Sequence, residues 1–237
     1  MFEGAILDFN GTLVNDHEQE IVKGICRIVA RAHSVDLSKL VGTWNKTWVE
    51  ILNEIASGKM KYLNLNDVGY FSLLKALELC GIDECKTYKR QIKFLTGTFF
   101  SYMVVRRSEM FPDALKFLEE IKSMGLKTVI ISTSSKALID AILKKHDVYK
   151  YIDEIVGSDV VKAYKPDYRV LKRAVEAIGS KNVIVIGDSY REDIAPAVEV
   201  GLEAVLLKRG KTLSSPARKG NYWIICNLLQ ALEIVKG

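Results

Sequence analysis

Nowhere in this chain do the roughly 18 consecutive apolar residues of a membrane helix occur. No membrane association is therefore expected. The opening stretch MFEGAILDF has an acid at position 3 and no basic segment, so a secretory leader is not expected either. The four cysteines, Cys26, Cys80, Cys85 and Cys226, match neither a zinc spacing nor a dense disulfide framework. They read as reduced thiols of a cytoplasmic protein, with a Cys80–Cys85 bridge as the alternative. Like charges never form a block. The net charge of +5 comes from Lys and Arg scattered among Asp and Glu, which argues against a nucleic-acid arm and leaves room for a small anionic substrate. Gln and His are scarce while Lys is plentiful, a balance that leans toward a thermophilic source.

What is present is a series of short apolar runs: GAILDF (4–9), KTVIIS (127–132), DEIVGS (153–158), NVIVIGD (182–188), EAVLL (203–207) and YWIIC (222–226). Most lack alternation and are rich in Val and Ile, as strands buried on both faces of a parallel sheet are. Helical periods lie between them. In FPDALKFLEEIKSMGLK the stripe Leu115, Leu118, Ile121, Met124 follows Pro112 and ends at Gly125. In PDYRVLKRAVEAIGS the stripe is Val170, Leu171, Ala174, Val175, Ile178, closed by Gly179. Strands alternating with such helices predict right-handed crossovers in a doubly wound, Rossmann-like α/β sheet.

Residues 15–106 break this rhythm. They carry no buried-strand run, and segments such as HEQEIVKGICRIVARAH and NDVGYFSLLKALELCG read as helices. About 90 residues is too long for a loop, which predicts an all-α domain at 15–106 inserted into a core made of 1–14 plus 107–237. Trp44 and Trp48 share a helix face and read as core of that unit. Lys39, Lys46, Lys59 and Lys61 read mainly as surface residues. KRGKTLSSPARKGN (208–221) is the one long polar loop.

In a doubly wound sheet, ligands gather beyond the carboxyl ends of the strands. Asp8, Asn10, Gly11 and Thr12 follow the first strand. Ser132, Thr133 and Ser134 end the second. Lys165-Pro166 follows the third, and Gly187-Asp188-Ser189 with Asp193 follow the fourth. Carboxylates, hydroxyls and an ammonium converging on one rim suit phosphoryl transfer. Carboxylates can hold Mg²⁺, another carboxylate oxygen can attack phosphorus, and the hydroxyl and ammonium can hold the nonbridging oxygens. Ser132, Thr133 and Ser134 could instead cap the following helix, and Asp193 could be an ordinary first-turn acid.

The stretches DFNGTLV, VIIS, KP and GDSYRED, in this order, resemble the four motifs of the haloacid dehalogenase-like hydrolase superfamily. The resemblance covers residues 1–14 and about 107–210. It implies a Mg²⁺-dependent hydrolase with Asp8 as nucleophile and metal ligand. It further implies phosphate contacts from Gly11, Thr12, Ser132, Thr133 and Lys165, with Asp188 on the metal and Asp193 supporting it. The helical insertion matches the family's cap. The implied partner is a small phosphorylated metabolite of the phosphoglycolate, sugar or nucleotide kind, with the chain a monomer or homodimer. Asn10 departs from the pattern, because most phosphatases of the family carry there an Asp that acts as acid and base. Its backbone carbonyl would still reach the metal. The departure leaves a 2-haloacid dehalogenase, a phosphonate hydrolase and a weakly active or inactive binding protein as alternatives. AYKPDYRV looks much like the dehalogenase form of the third motif, whereas Gly187-Asp188 fits the metal-dependent form. An Asp changed to Asn by design is a further reading. The Asn10-Gly11 pair is also prone to deamidation, which would restore a carboxylate.

Overall fold

The computed structural model describes residues 2–83 and 88–237. The chain divides into two compact units, Met1–Asn15 with Glu109–Gly237, and Asp16–Ser108.

In the first unit, seven strands form one sheet in the order β5-β4-β1-β6-β7-β9-β8. They are β1 (Gly4–Asp8), β4 (Lys127–Ser132), β5 (Glu154–Gly157), β6 (Val183–Gly187), β7 (Glu203–Leu207), β8 (Ala217–Lys219) and β9 (Tyr222–Ile225). All neighbours pair in parallel except β8, which runs antiparallel to β9 at the edge. A separate small ribbon pairs β2 (Val14–Asn15) with β3 (Glu109–Met110). The sheet is the doubly wound parallel architecture its apolar runs predict. Every residue of β1 and β6 is buried, as continuous Val/Ile runs covered on both faces must be. Alternate residues Ile6, Val129, Ile131, Val183 and Val185 pack in one cluster with Val170, Leu171, Ala174 and Ile178 of α9 (Tyr168–Ile178). The remaining helices of this unit are α6 (Ala114–Ser123), α7 (Lys136–Lys145), α8 (Ser158–Val161), α10 (Ala195–Glu199) and α11 (Ala231–Lys236).

Two local readings shift. The buried face of α6 is Ala114, Phe117, Leu118 and Ile121, so Leu115 points to solvent. Helix α6 starts at Ala114, after Pro112, and packing against the core buries Phe117 in place of Leu115. The polar loop 208–221 contains the edge strand β8, whose three residues are all exposed and carry no apolar signal.

Among its described residues the second unit is all-helical: α1 (Glu18–His33), α2 (Leu37–Ala56), α3 (Leu65–Leu79), α4 (Lys89–Phe94) and α5 (Phe100–Arg107). A π-type turn, Leu95–Phe99, joins the last two. Asp36 caps α2 and Asn64 caps α3, each through its side chain. Buried Trp44 donates its indole N–H to Ser72 Oγ at 2.8 Å, and Thr47 Oγ1 donates to the Ser72 carbonyl at 2.8 Å. These bonds pin α2 to α3 and satisfy polar groups that the packing would otherwise strand. Lys39, Lys46, Lys59 and Lys61 are all exposed. Cys26, Cys80 and Cys226 are free thiols, while Cys85 lies outside the described residues, and the Cys80–Cys85 alternative with it. No helix among the described residues is long and apolar enough to cross a membrane.

Glu18, in the first turn of α1, lines a cleft of about 580 Å³ with Val22, Trp44 and Trp48. Burial, with help from Asp16, pushes its carboxyl up to about 7. A carboxyl raised in the folded state favours folding below its unfolded value near 4.5, and that contribution is lost as pH rises through about 7. Glu18→Gln removes the charge that burial penalises. The variant should match wild type in urea unfolding at pH 5 and exceed it by roughly 2 kcal/mol at pH 8. A difference that does not change with pH would refute this assignment.

Candidate active site

The strand order reverses direction between β1 and β6. From β1 the chain winds outward to β4 and β5, and from β6 it winds the other way to β7. Such a switch point opens a crevice at the carboxyl ends of the two central strands. Asp8 is the last residue of β1, and Asp188 follows directly on β6. A second π-type turn, Tyr190–Ile194, comes next and carries Asp193. Such turns often re-aim a side chain that an α-helix would send elsewhere.

Asp8, Asp188 and Asp193 offer carboxylate oxygens that all lie within 4.8 Å of one another. Asp8 and Asp193 are buried and Asp188 is exposed. One buried ammonium sits among them. Lys165 Nζ donates to Asp8 Oδ1 at 2.6 Å and to Asp193 Oδ1 at 2.7 Å. Burial by itself would lower the Lys165 pKa. The Asp8 and Asp193 carboxylates outweigh it and hold the amine above the ordinary lysine range. Partial desolvation of the Asp188 carboxyl at the floor of the cluster, although the residue as a whole is exposed, and then the Asp8 charge push it up to about 6. The same two causes raise Asp193 to about 7, against the pull of Lys165.

Two glycines let these groups approach. Gly11 has φ +80°, and a Cβ on it would collide with the Asp188 carboxylate. A Cβ on Gly187 would collide with the Asp193 carboxylate. The turn after Asp8 is closed by Gly11 N–H to the Val14 carbonyl at 2.8 Å and Leu13 N–H to the Phe9 carbonyl at 2.9 Å. Asn10 is partly buried in this turn and bridges to Val14. Thr12 is fully buried. Ser132, buried at the end of β4, accepts from the Ser134 N–H at 3.1 Å, and Thr133 is partly exposed beside it. The helix-capping reading of Ser132, Thr133 and Ser134 gives way. Ser135 is the N-cap of α7, accepting from the Leu138 N–H at 3.3 Å, because α7 begins at Lys136. Asp193 likewise serves as more than a first-turn acid, since it holds Lys165 and accepts from the Ser189 N–H at 3.1 Å.

The donor set suits a hard divalent cation. Three carboxylates face one ammonium, and Asp8 Oδ2 is buried with no hydrogen-bond partner among the described residues. An orphaned carboxylate oxygen inside an acid cluster is costly unless a cation or a substrate group meets it. The sequence reading missed Lys208, Arg209 and Asp113. Arg209 donates to the Thr12 carbonyl at 2.7 Å and the Gly11 carbonyl at 3.2 Å, and Asp113 pairs with it at 3.0 Å. Lys208 and Arg209 directly follow β7 at the same rim, so the strand-end rule applied to that strand would have found them.

Sequence comparison places this chain in a known family. Residues 2–201 match the haloacid dehalogenase-like hydrolases, and the chain belongs to that family. It is 24% identical to a glyceraldehyde 3-phosphate phosphatase of Methanocaldococcus jannaschii over 100% of this chain and 98% of that protein. It is 25% identical to an (S)-2-haloacid dehalogenase of Pseudomonas sp. strain YL over 98% of this chain and 94% of that one. In fold it resembles a HAD-hydrolase of Bacillus subtilis bound to magnesium, with a TM-score of 0.74 and 13% identity over 100% and 99% of the two chains.

Proposed function

We propose that the chain is a Mg²⁺-dependent phosphatase acting on a small phosphomonoester of triose phosphate or phosphoglycolate size, through an aspartyl-phosphate on Asp8. The observation that carries this reading is the excess of negative charge: three clustered carboxylates, one ammonium and one orphaned oxygen on Asp8. Halide displacement from carbon has little use for such an excess, whereas transfer of a phosphoryl dianion needs a cation in its midst. The full-length phosphatase relative supports the same choice.

Asp8, the Asn10 carbonyl and Asp188 would hold Mg²⁺, with Asp193 supporting it. When bound, the metal neutralises charge on the transferring group and its oxygens. Lys165 fixes Asp8 through Oδ1 and adds positive charge beside the nonbridging oxygens. Thr12, Ser132 and Thr133 would supply N–H and hydroxyl donors for those oxygens, and Gly11, whose own N–H is held by the Val14 carbonyl, would let the backbone come close to them. A carboxylate oxygen of Asp8 bonds to phosphorus as the bond from phosphorus to the leaving oxygen breaks. Water then cleaves the acyl phosphate, returning Asp8 and releasing inorganic phosphate. Asn10 cannot donate a proton in the first step or accept one in the second. Substrates whose leaving group departs as an anion are therefore favoured. The helical unit would serve as the cap that excludes water and selects the substrate.

Asn10→Asp tests this. Turnover of an alkyl phosphate should rise by roughly 10²-fold or more, the usual worth of general acid–base help, while acetyl phosphate changes little. An unchanged or lower rate on both substrates would overturn the reading. The full-length dehalogenase relative keeps a second reading in view. Metal-independent halide release from 2-chloropropionate would establish it in place of the first.

A further inference from the structure

The polar segment after β7 contributes nothing to the chemistry above, yet its first two residues reach both acid-bearing loops. Lys208 Nζ donates to the Asp188 carbonyl at 3.2 Å. Arg209 Nε donates to the Gly11 carbonyl at 3.2 Å and Nη2 to the Thr12 carbonyl at 2.7 Å. The same guanidinium is gripped by Asp113, Nη2 to Oδ1 at 3.0 Å and Nη1 to Oδ2 at 3.1 Å. It also lies over the Phe111 ring, 3.7 Å from its centre. Asp113 is itself anchored by the Leu228 N–H at 2.7 Å, and the Phe111 N–H donates to the Leu13 carbonyl at 3.0 Å.

We propose that Lys208-Arg209 is a strut between the Asp8 loop and the Asp188 loop, and that Arg209 is a positioning residue that sets the metal-binding geometry of the site. The inference rests on the metal-dependent reading above. The turn after Asp8 uses the Gly11, Leu13 and Val14 N–H groups internally but sends the Gly11 and Thr12 carbonyls outward, where Arg209 takes both. Gly11 at φ +80° has the freedom to let the flanking peptides rotate, so the turn needs an outside clamp. Rotation there would re-aim the Asn10 carbonyl and disturb the contact with Asp188, whose carboxylate packs against Gly11 so closely that not even a Cβ fits between them. Only a planar fork of donors, oriented by a carboxylate and an aromatic face, can span two successive carbonyls in this way. A lysine offers one point of contact.

The test is Mg²⁺ binding by titration calorimetry on the whole chain, wild type against Arg209→Gln, Arg209→Lys and the isosteric Asp113→Asn, with metal-free melting curves alongside. Orienting partners of metal ligands are typically worth 10–100-fold in affinity. Both Arg209 variants should lose about that much Mg²⁺ affinity, with Lys giving no rescue, and Asp113→Asn should follow in the same direction. Substrate KM at saturating Mg²⁺ should shift by less than the Mg²⁺ affinity does, because bound metal would re-order the turn that carries Gly11 and Thr12, a split that general loosening of the fold does not produce. Lowered melting temperatures with Mg²⁺ affinity within about twofold of wild type would overturn the strut and leave Arg209 as packing alone. If wild type binds no Mg²⁺, the metal-dependent reading itself falls, and the strut with it.

Discussion

Asp8→Asn is expected to abolish turnover, by roughly 10⁴-fold or more, while the folded chain becomes no less stable. The first half follows from chemistry, because an amide nitrogen or oxygen in place of the carboxylate cannot form the acyl phosphate. The second half follows from the charge count. Asp8, Asp188 and Asp193 crowd their oxygens within 4.8 Å around one ammonium. The Asp8 charge is the second cause, after burial, of the raised Asp188 and Asp193 carboxyls. Neutralising Asp8 relieves that repulsion, and Lys165 keeps Asp193 at 2.7 Å. Carboxyls raised in the folded state cost stability as pH rises past their unfolded values, so the gain should be larger at pH 8 than at pH 5. Phosphate release from p-nitrophenyl phosphate with Mg²⁺, beside melting curves at both pH values, decides it. Activity within about tenfold of wild type would remove Asp8 as nucleophile. Lost activity accompanied by a large fall in melting temperature would make Asp8 a structural ion-pair partner instead.

The legibility of this chain follows burial. Strands β1, β4, β6 and β7 are covered on both faces, so their residues had to be continuous Val, Ile and Leu, and they could be read directly. Strand β8 is three exposed residues whose place depends on pairing with β9, a tertiary fact with no local signal. The phase of α6 was lost because Leu115 and Phe117 compete for the same stripe, and only packing buried Phe117 while leaving Leu115 exposed. At the site, the acids and Lys165 were legible because strand ends collect ligands at a switch point. Arg209 follows β7 at the same rim and the same rule would place it there, but its partners at Gly11 and Thr12, 198 and 197 residues away in the chain, come from packing alone. The two π-type turns were not legible, because local propensity does not announce them.

Lys165→Met keeps the aliphatic stem and removes the charge, and it should be the most damaging single change after loss of Asp8. Among the described residues, Lys165 is the one buried cation that faces Asp8 and Asp193. Removing one member of a buried ion network, leaving the others uncompensated, costs about 3–5 kcal/mol. The sign with pH is fixed by Asp193, which is already raised to about 7 with Lys165 present and pulling it down. Without that pull it rises further. The variant should therefore approach wild-type stability near pH 5, where the neighbouring carboxyls take up protons, and fall behind as pH rises through about 7. Mg²⁺ should recover part of the lost stability, since added positive charge offsets the uncompensated carboxylates. It should not recover the rate, because Asp8 Oδ1 has lost the donor that fixes the carboxylate and the nonbridging oxygens have lost an adjacent charge. A decrease in kcat of roughly 10³-fold that persists in saturating Mg²⁺, measured with the urea midpoint at pH 5 and pH 8, is the expected outcome. A stability deficit that is the same at both pH values would show that Lys165 holds the site by packing and not by charge.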